Sequence, residues 1–188
     1  MPVFNRIASL LICLFSVLMI AGVCEAKSGS INVVSDVDLE QFIGTWYEIA
    51  RLPNNNEKNL VEVTSTFARS KNGGFELINR GYKGSRKGKC TTLKGDIVIP
   101  DPSKTGDLKL KVLFFTIGYK IIDVDKDKYR FAMVTTDDSR KYLWILSKTP
   151  IMEKSEYDRL VESARDKGFA VEKLEKVQQF SNGAIAEN

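Results

Sequence analysis

From residue 44 onward, apolar and polar side chains alternate with period two, the spacing of strands that bury one face, in short runs separated by turn residues. The runs predict eight strands over residues 44–52, 61–69, 75–82, 91–99, 107–115, 119–124, 129–136 and 141–147. Lys71-Asn72-Gly73-Gly74 supplies glycines where a tight hairpin needs positive φ, and Asp101-Pro102-Ser103-Lys104-Thr105-Gly106 turns the chain before the fifth strand. Successive antiparallel strands on short loops favour a closed barrel, because closure removes the sheet edges that would otherwise template aggregation.

The period changes to 3.6 once. Tyr157, Leu160, Val161 and Ala164 follow i, i+3, i+4, i+7, with Ser155 as the expected cap, Asp158 three residues on and Gly168 as the stop, which predicts a helix over about 155–167 with one side packed on the barrel. Residues 171–178 are expected to return as a terminal strand beside the first, and 181–188 to form a frayed tail. The predicted fold class is therefore all-β, an eight-stranded antiparallel up-and-down barrel with one C-terminal α-helix packed outside.

The N-terminus reads differently. Met1 to Arg6 carries one cation, residues 7–23 are apolar apart from scattered Ser and Gly, and Cys24-Glu25-Ala26 places small residues where a signal peptidase reads, so 1–26 is expected to be a signal peptide and 27–188 one domain. The alternative is acylation at Cys24, since Ala21-Gly22-Val23-Cys24 is an imperfect lipobox with a branched Val23 before the cysteine. Both readings export the chain. Of Cys13, Cys24 and Cys90 only the last then remains in the domain, so no internal disulfide is expected and Cys90 is read as a packed thiol at a strand edge.

Composition narrows the chemistry. The 188 residues include 28 Lys plus Arg, 24 Asp plus Glu and no histidine, a formal charge of +4. Without histidine there is no Ser-His-Asp triad, no Cys-His pair and no imidazole metal site, so a binding protein is expected rather than an enzyme, with no cofactor and no metal. Acids and bases alternate along the chain rather than forming one basic face, which argues against nucleic acid.

Two segments carry a family resemblance. Asp38-Leu39-Glu40-Gln41-Phe42-Ile43-Gly44-Thr45-Trp46-Tyr47-Glu48-Ile49-Ala50-Arg51 resembles the first signature of the lipocalins, a short helix followed by Gly-x-Trp opening the first strand. Tyr142-Leu143-Trp144-Ile145-Leu146-Ser147-Lys148-Thr149-Pro150 is similar to the end of the barrel in the bacterial lipocalin branch. Gly44, Trp46 and Lys148 stand at the structural positions of these motifs, with Lys148 where the family has an arginine that stacks on the indole; a lysine keeps a cation–π contact but lacks the guanidinium fork. The second family motif is reduced to Asp125-Lys126-Asp127-Lys128-Tyr129.

The resemblance implies an interior pocket for fatty acids or lysophospholipids, handled for membrane maintenance or stress in the bacterial envelope, in the periplasm or anchored to the outer membrane. Counting inward from Trp46 puts Glu48, Ala50 and Leu52 on one face, and the more apolar parity of the other strands adds Val63, Ser65 and Phe67; Leu77 and Asn79; Leu110, Val112 and Phe114; Tyr119; Phe131 and Met133; and Tyr142 and Trp144. These are the candidate ligand-binding residues. Tyr82-Lys83-Gly84-Ser85-Arg86-Lys87-Gly88-Lys89, with four cations and no acid, makes an anionic membrane surface a second candidate partner. A protein-interaction module without a dedicated lipid is the alternative, and monomer and homodimer remain open.

Overall fold

The computed structural model describes residues 29–180. The signal-peptide and Cys24 readings lie outside these residues, as does the tail. Eight strands close into an antiparallel barrel: β1 (Gly44–Arg51), β2 (Leu60–Arg69), β3 (Phe75–Lys83), β4 (Cys90–Val98), β5 (Asp107–Val112), β6 (Phe115–Val124), β7 (Phe131–Thr135) and β8 (Trp144–Ser147). Each pairs with the next, and β1 closes the ring on both β2 and β8. The expected terminal strand shrinks to β9 (Glu175–Lys176), which pairs with Ala50 and Arg51; a 3-10 turn over Val171–Lys173 takes up the rest.

The two ends of the barrel differ. At one end α1 (Leu39–Phe42) lies beside the start of β1, with the Asp38 carboxylate accepting from the backbone N–H groups of Glu40 and Gln41 at 3.0 and 3.3 Å. Phe42, Trp46 and Phe67 plug this end. At the other end stand the loop between β1 and β2, the basic 84–89 loop, the β5–β6 turn and the loop between β7 and β8.

Helix α2 (Lys154–Asp166) packs Leu160 and Ala164 against Ala50, Ile122, Phe131, Met133 and Ile145. It starts one residue before Ser155, which sits in the first turn and does not cap; the cap position is Glu153, with no side-chain bond. Gly168, at φ 84°, ends it in the left-handed region.

Three departures from strict alternation move side chains predicted to face inward. A bulge between Glu48 and Ala50 flips β1, so that Trp46, Glu48 and Arg51 face the interior while Ala50 and Leu52 face the helix. In β7 the helix covers the outer face, so all five residues are buried; Phe131 and Met133 lie under α2, and Ala132 and Val134 face inward. The fifth strand ends three residues early. β5 and β6 are joined by a two-residue turn at Leu113 and Phe114, with Leu113 itself at φ 48°. Cys90, expected to be packed, is an exposed thiol at the start of β4.

Candidate functional site

The floor of the barrel interior is built first. Trp46 stacks on Phe42 with ring centroids 4.5 Å apart, Phe42 meets Phe67 edge-on at 5.4 Å, and the indole Nε1 donates to the Phe42 carbonyl at 2.8 Å. Lys148 Nζ lies 4.2 Å from the Trp46 ring centroid and donates to the carbonyls of Ile43 at 2.6 Å and Phe42 at 3.3 Å. Gly44 suits this position because its φ of 120° is one that residues with a side chain rarely adopt, and a Cβ there would also come within 2.9 Å of Lys148 Nζ and displace it. Burial pulls the Lys148 ammonium down to about 8. A guanidinium is more weakly hydrated and offers a fork of donors to the same carbonyls, so Lys148→Arg should raise stability by about 0.5–1.5 kcal/mol. Urea denaturation at equal slope checks it, and an unchanged or lower midpoint rejects the pairing.

Above the floor a cavity of about 750 Å³ opens to the far end of the barrel, within the ~300–1,000 Å³ usual for ligand pockets. Of the residues singled out from the sequence, Val63, Ser65, Leu77, Asn79, Leu110, Tyr119, Tyr142 and Trp144 line it. The others do not. Phe67 belongs to the floor, Val112 packs against the core at the rim, Ala50, Phe131 and Met133 sit under α2, and Phe114 is 95% exposed at the β5–β6 turn. Val134, Thr136 and Leu146 also line the wall, as do Leu93, Ile117 and Arg80. Leu146 on β8 continues the inward parity that the sequence predicts for Tyr142 and Trp144, whereas the inward parity of Val134 on β7 and Thr136 just after it was readable only by knowing which face the helix covers.

The wall near the mouth holds a polar cluster that sequence parity registered only as an inward Glu48. Glu48 and Arg51 are 1% and 4% exposed and joined at 2.8 Å; Arg51 Nη2 also donates to the carbonyls of Glu57 at 2.7 Å and Leu60 at 3.3 Å. The Glu57 carboxylate accepts from Trp144 Nε1 at 2.8 Å and Asn54 Nδ2 at 2.6 Å. Arg51 thus ties β1 to the loop that follows it, and Trp144 is held with its ring on Tyr142, centroids 5.9 Å apart. Burial, with the nearby Glu57 charge, pushes the Glu48 carboxyl up to about 8, against the opposing pull of Arg51. Three further wall atoms, Asn79 Oδ1, Tyr119 Oη and Thr136 Oγ1, are buried without a hydrogen-bond partner among the described residues. Burial alone raises the Tyr119 phenol, which stays protonated and able to donate.

A closed antiparallel barrel with a plugged end, an outer helix and an apolar interior opening at the other end defines a class of proteins that hold a small hydrophobic molecule inside the sheet. The comparisons place the chain within that class. The Lipocalin-like domain family matches residues 37–179, and the chain belongs to that family. It is 36% identical to the outer membrane lipoprotein Blc of Escherichia coli over 86% of this chain and 90% of the relative, and 33% identical to the Blc of Vibrio cholerae over 83% and 91%. Insecticyanin from the tobacco hornworm Manduca sexta shares the fold, with a TM-score of 0.65 at 22% identity over 83% of this chain and 87% of that one. Membership of the lipocalins implies hydrophobic-ligand binding.

Proposed function

We propose that the cavity holds the acyl chain of a fatty acid or lysophospholipid and that the protein carries or stores such lipids in the bacterial envelope for membrane maintenance or stress. The observation that carries the reading is the cavity wall, apolar at Val63, Leu77, Leu110, Val134 and Leu146, where each buried CH₂ contributes ~0.8 kcal/mol. The charge pattern sets the orientation: the buried cation Arg51 is committed to Glu48 and two carbonyls, so an anionic headgroup is better placed at the mouth than inside. The partnerless Tyr119, Asn79 and Thr136 atoms offer hydrogen bonds to an ester or hydroxyl along the chain. The names of the Blc relatives support export and an outer-membrane location, and they favour acylation at Cys24 over cleavage after Ala26.

Trp144 is the reporter. It lines the cavity and is half-buried, whereas Trp46 is sealed in the floor. A long-chain fatty acid or lysophospholipid added to delipidated protein should shift tryptophan fluorescence saturably, and Trp144→Phe should lose most of the signal. Absence of saturable binding by either lipid would reject the reading and leave an interaction module in its place.

A further inference from the structure

The β5–β6 turn presents three large apolar residues in a row to solvent: Leu113, Phe114 and Phe115 are 82%, 95% and 71% exposed. Such a patch on a soluble face marks an interaction surface, and its position narrows the partner. The turn stands at the open end of the barrel, and the inward-facing pairs Val112 with Phe115 and Leu110 with Ile117 run from it to the cavity. Leu93, on the inward parity of β4, faces the same opening. The apolar pairs therefore carry the lining from the cavity to the rim, with Thr91, Thr92 and Thr116 beside them. Leu113 occupies a left-handed turn position where Asn or Gly is the ordinary choice, so turn chemistry does not account for these side chains.

Charge supplies the second argument. Residues 82–94 and 111–120, on the neighbouring β3–β4 and β5–β6 hairpins, carry Lys83, Arg86, Lys87, Lys89, Lys94, Lys111 and Lys120 and no acid. Arg86 pairs with Glu62, Lys94 with Glu76 and Lys120 with Asp138; the other four have no ion-pair partner among the described residues. Of the acids towards the open end, Glu57, Asp137 and Asp138 lie in the other two loops, Glu62 on β2 is taken by Arg86, and Asp96 on β4 stands across from Lys111.

We propose that this side of the barrel mouth docks on an anionic phospholipid bilayer, with Leu113, Phe114 and Phe115 inserted among the acyl chains and the free lysines on the headgroups. An aromatic and aliphatic wedge backed by cations is the chemistry of interfacial membrane binding. Docking would set the cavity opening against the leaflet, so that a lipid passes between bilayer and barrel along an apolar lip. That consequence rests on the lipid-carrying reading; the docking itself does not.

The test places an indole at the tip. Phe114→Trp in a Trp144→Phe background, mixed with vesicles of phosphatidylcholine and phosphatidylglycerol with brominated acyl chains, should be quenched, and less so in high salt or with phosphatidylcholine alone. Val98→Trp, at the plugged end of β4, should not be. In parallel, the exported chain carrying Cys24→Ser should float with the anionic vesicles, and adding Leu113→Ser and Phe114→Ser, at an exposed turn outside the cavity wall, should weaken flotation at least about tenfold while fatty-acid titration of Trp144 is unchanged. Quenching at position 114 no stronger than at 98, or equal flotation of the serine variant, overturns the proposal. Quenching at 114 in a protein whose Trp144 ignores every soluble lipid upholds docking and rejects lipid carriage instead.

Discussion

Arg51→Met should lower the unfolding free energy by about 3–5 kcal/mol, because it takes the donor from several buried acceptors at once, at ~1–3 kcal/mol for each one left unsatisfied. The guanidinium is among the few charged groups inside the barrel and donates to three acceptors, Glu48 Oε1 and the carbonyls of Glu57 and Leu60, of which the Glu57 carbonyl also accepts from the Leu60 N–H. Methionine fills similar volume and replaces none of these bonds. The loss should grow with pH. The folded carboxyl of Glu48, at about 8, lies above its ordinary value of 4.5, so the stability linked to its neutral form is complete below about 4.5 and is lost as pH rises towards 8. Without Arg51 nothing opposes desolvation, the folded value rises further, and the penalty continues into more alkaline solution. Urea denaturation at pH 6 and pH 9 should therefore show a larger difference between variant and wild type at pH 9, and adding Glu48→Gln should flatten that dependence. An equal loss at both pH values would mean that Glu48 stays ionised throughout.

Trp46→Ala should cost a similar ~3–5 kcal/mol for a different reason. The fully buried ring touches Phe42, closes the floor beneath the cavity and faces the Lys148 ammonium, so truncation leaves a void bounded by a half-buried cation that keeps only its carbonyl bonds. Part of the loss belongs to the pair. A double-mutant cycle with Lys148→Met should return a coupling of about 0.5–2 kcal/mol from the cation–π contact. A coupling near zero would assign the whole effect to packing, as would a single-mutant loss that Lys148→Met leaves unaltered.

Strand count, order and closure were legible because period-two patterning survives in β2, β3 and β5, each exposed on its outer face; Val63, Ser65, Leu77 and Leu110 alternate with polar or partly exposed neighbours there. The pattern failed where the physics behind it failed. β7 is buried on both sides, so its more apolar parity, Phe131 and Met133, marked the helix contact instead of the interior. A bulge leaves no trace in composition, and one extra residue after Glu48 was enough to turn Ala50 outward and bring Arg51 in. At Leu113-Phe114 the chain turns without glycine, asparagine or proline, and a run of apolar residues that reads as strand is instead a tip in solvent. The Glu57 contact with Trp144 joins residues 87 apart in the chain and lies beyond any local pattern.

The placement of α2 divides the barrel mechanically. β7, β8 and the end of β1 are clamped between the interior and the helix, close-packed on both faces. Among the described residues β3, β4 and β5 have no second layer, β4 is exposed along most of its length, and Cys90 to Lys94 lack a partner on the β5 side. The ring thus has a stiff half and a compliant half. A guest of larger girth should therefore push the compliant staves outward, while the half that holds Trp144 keeps its shape as the fixed jaw of the vessel; hydrogen exchange that rises in β7 and β8 instead would reverse the assignment.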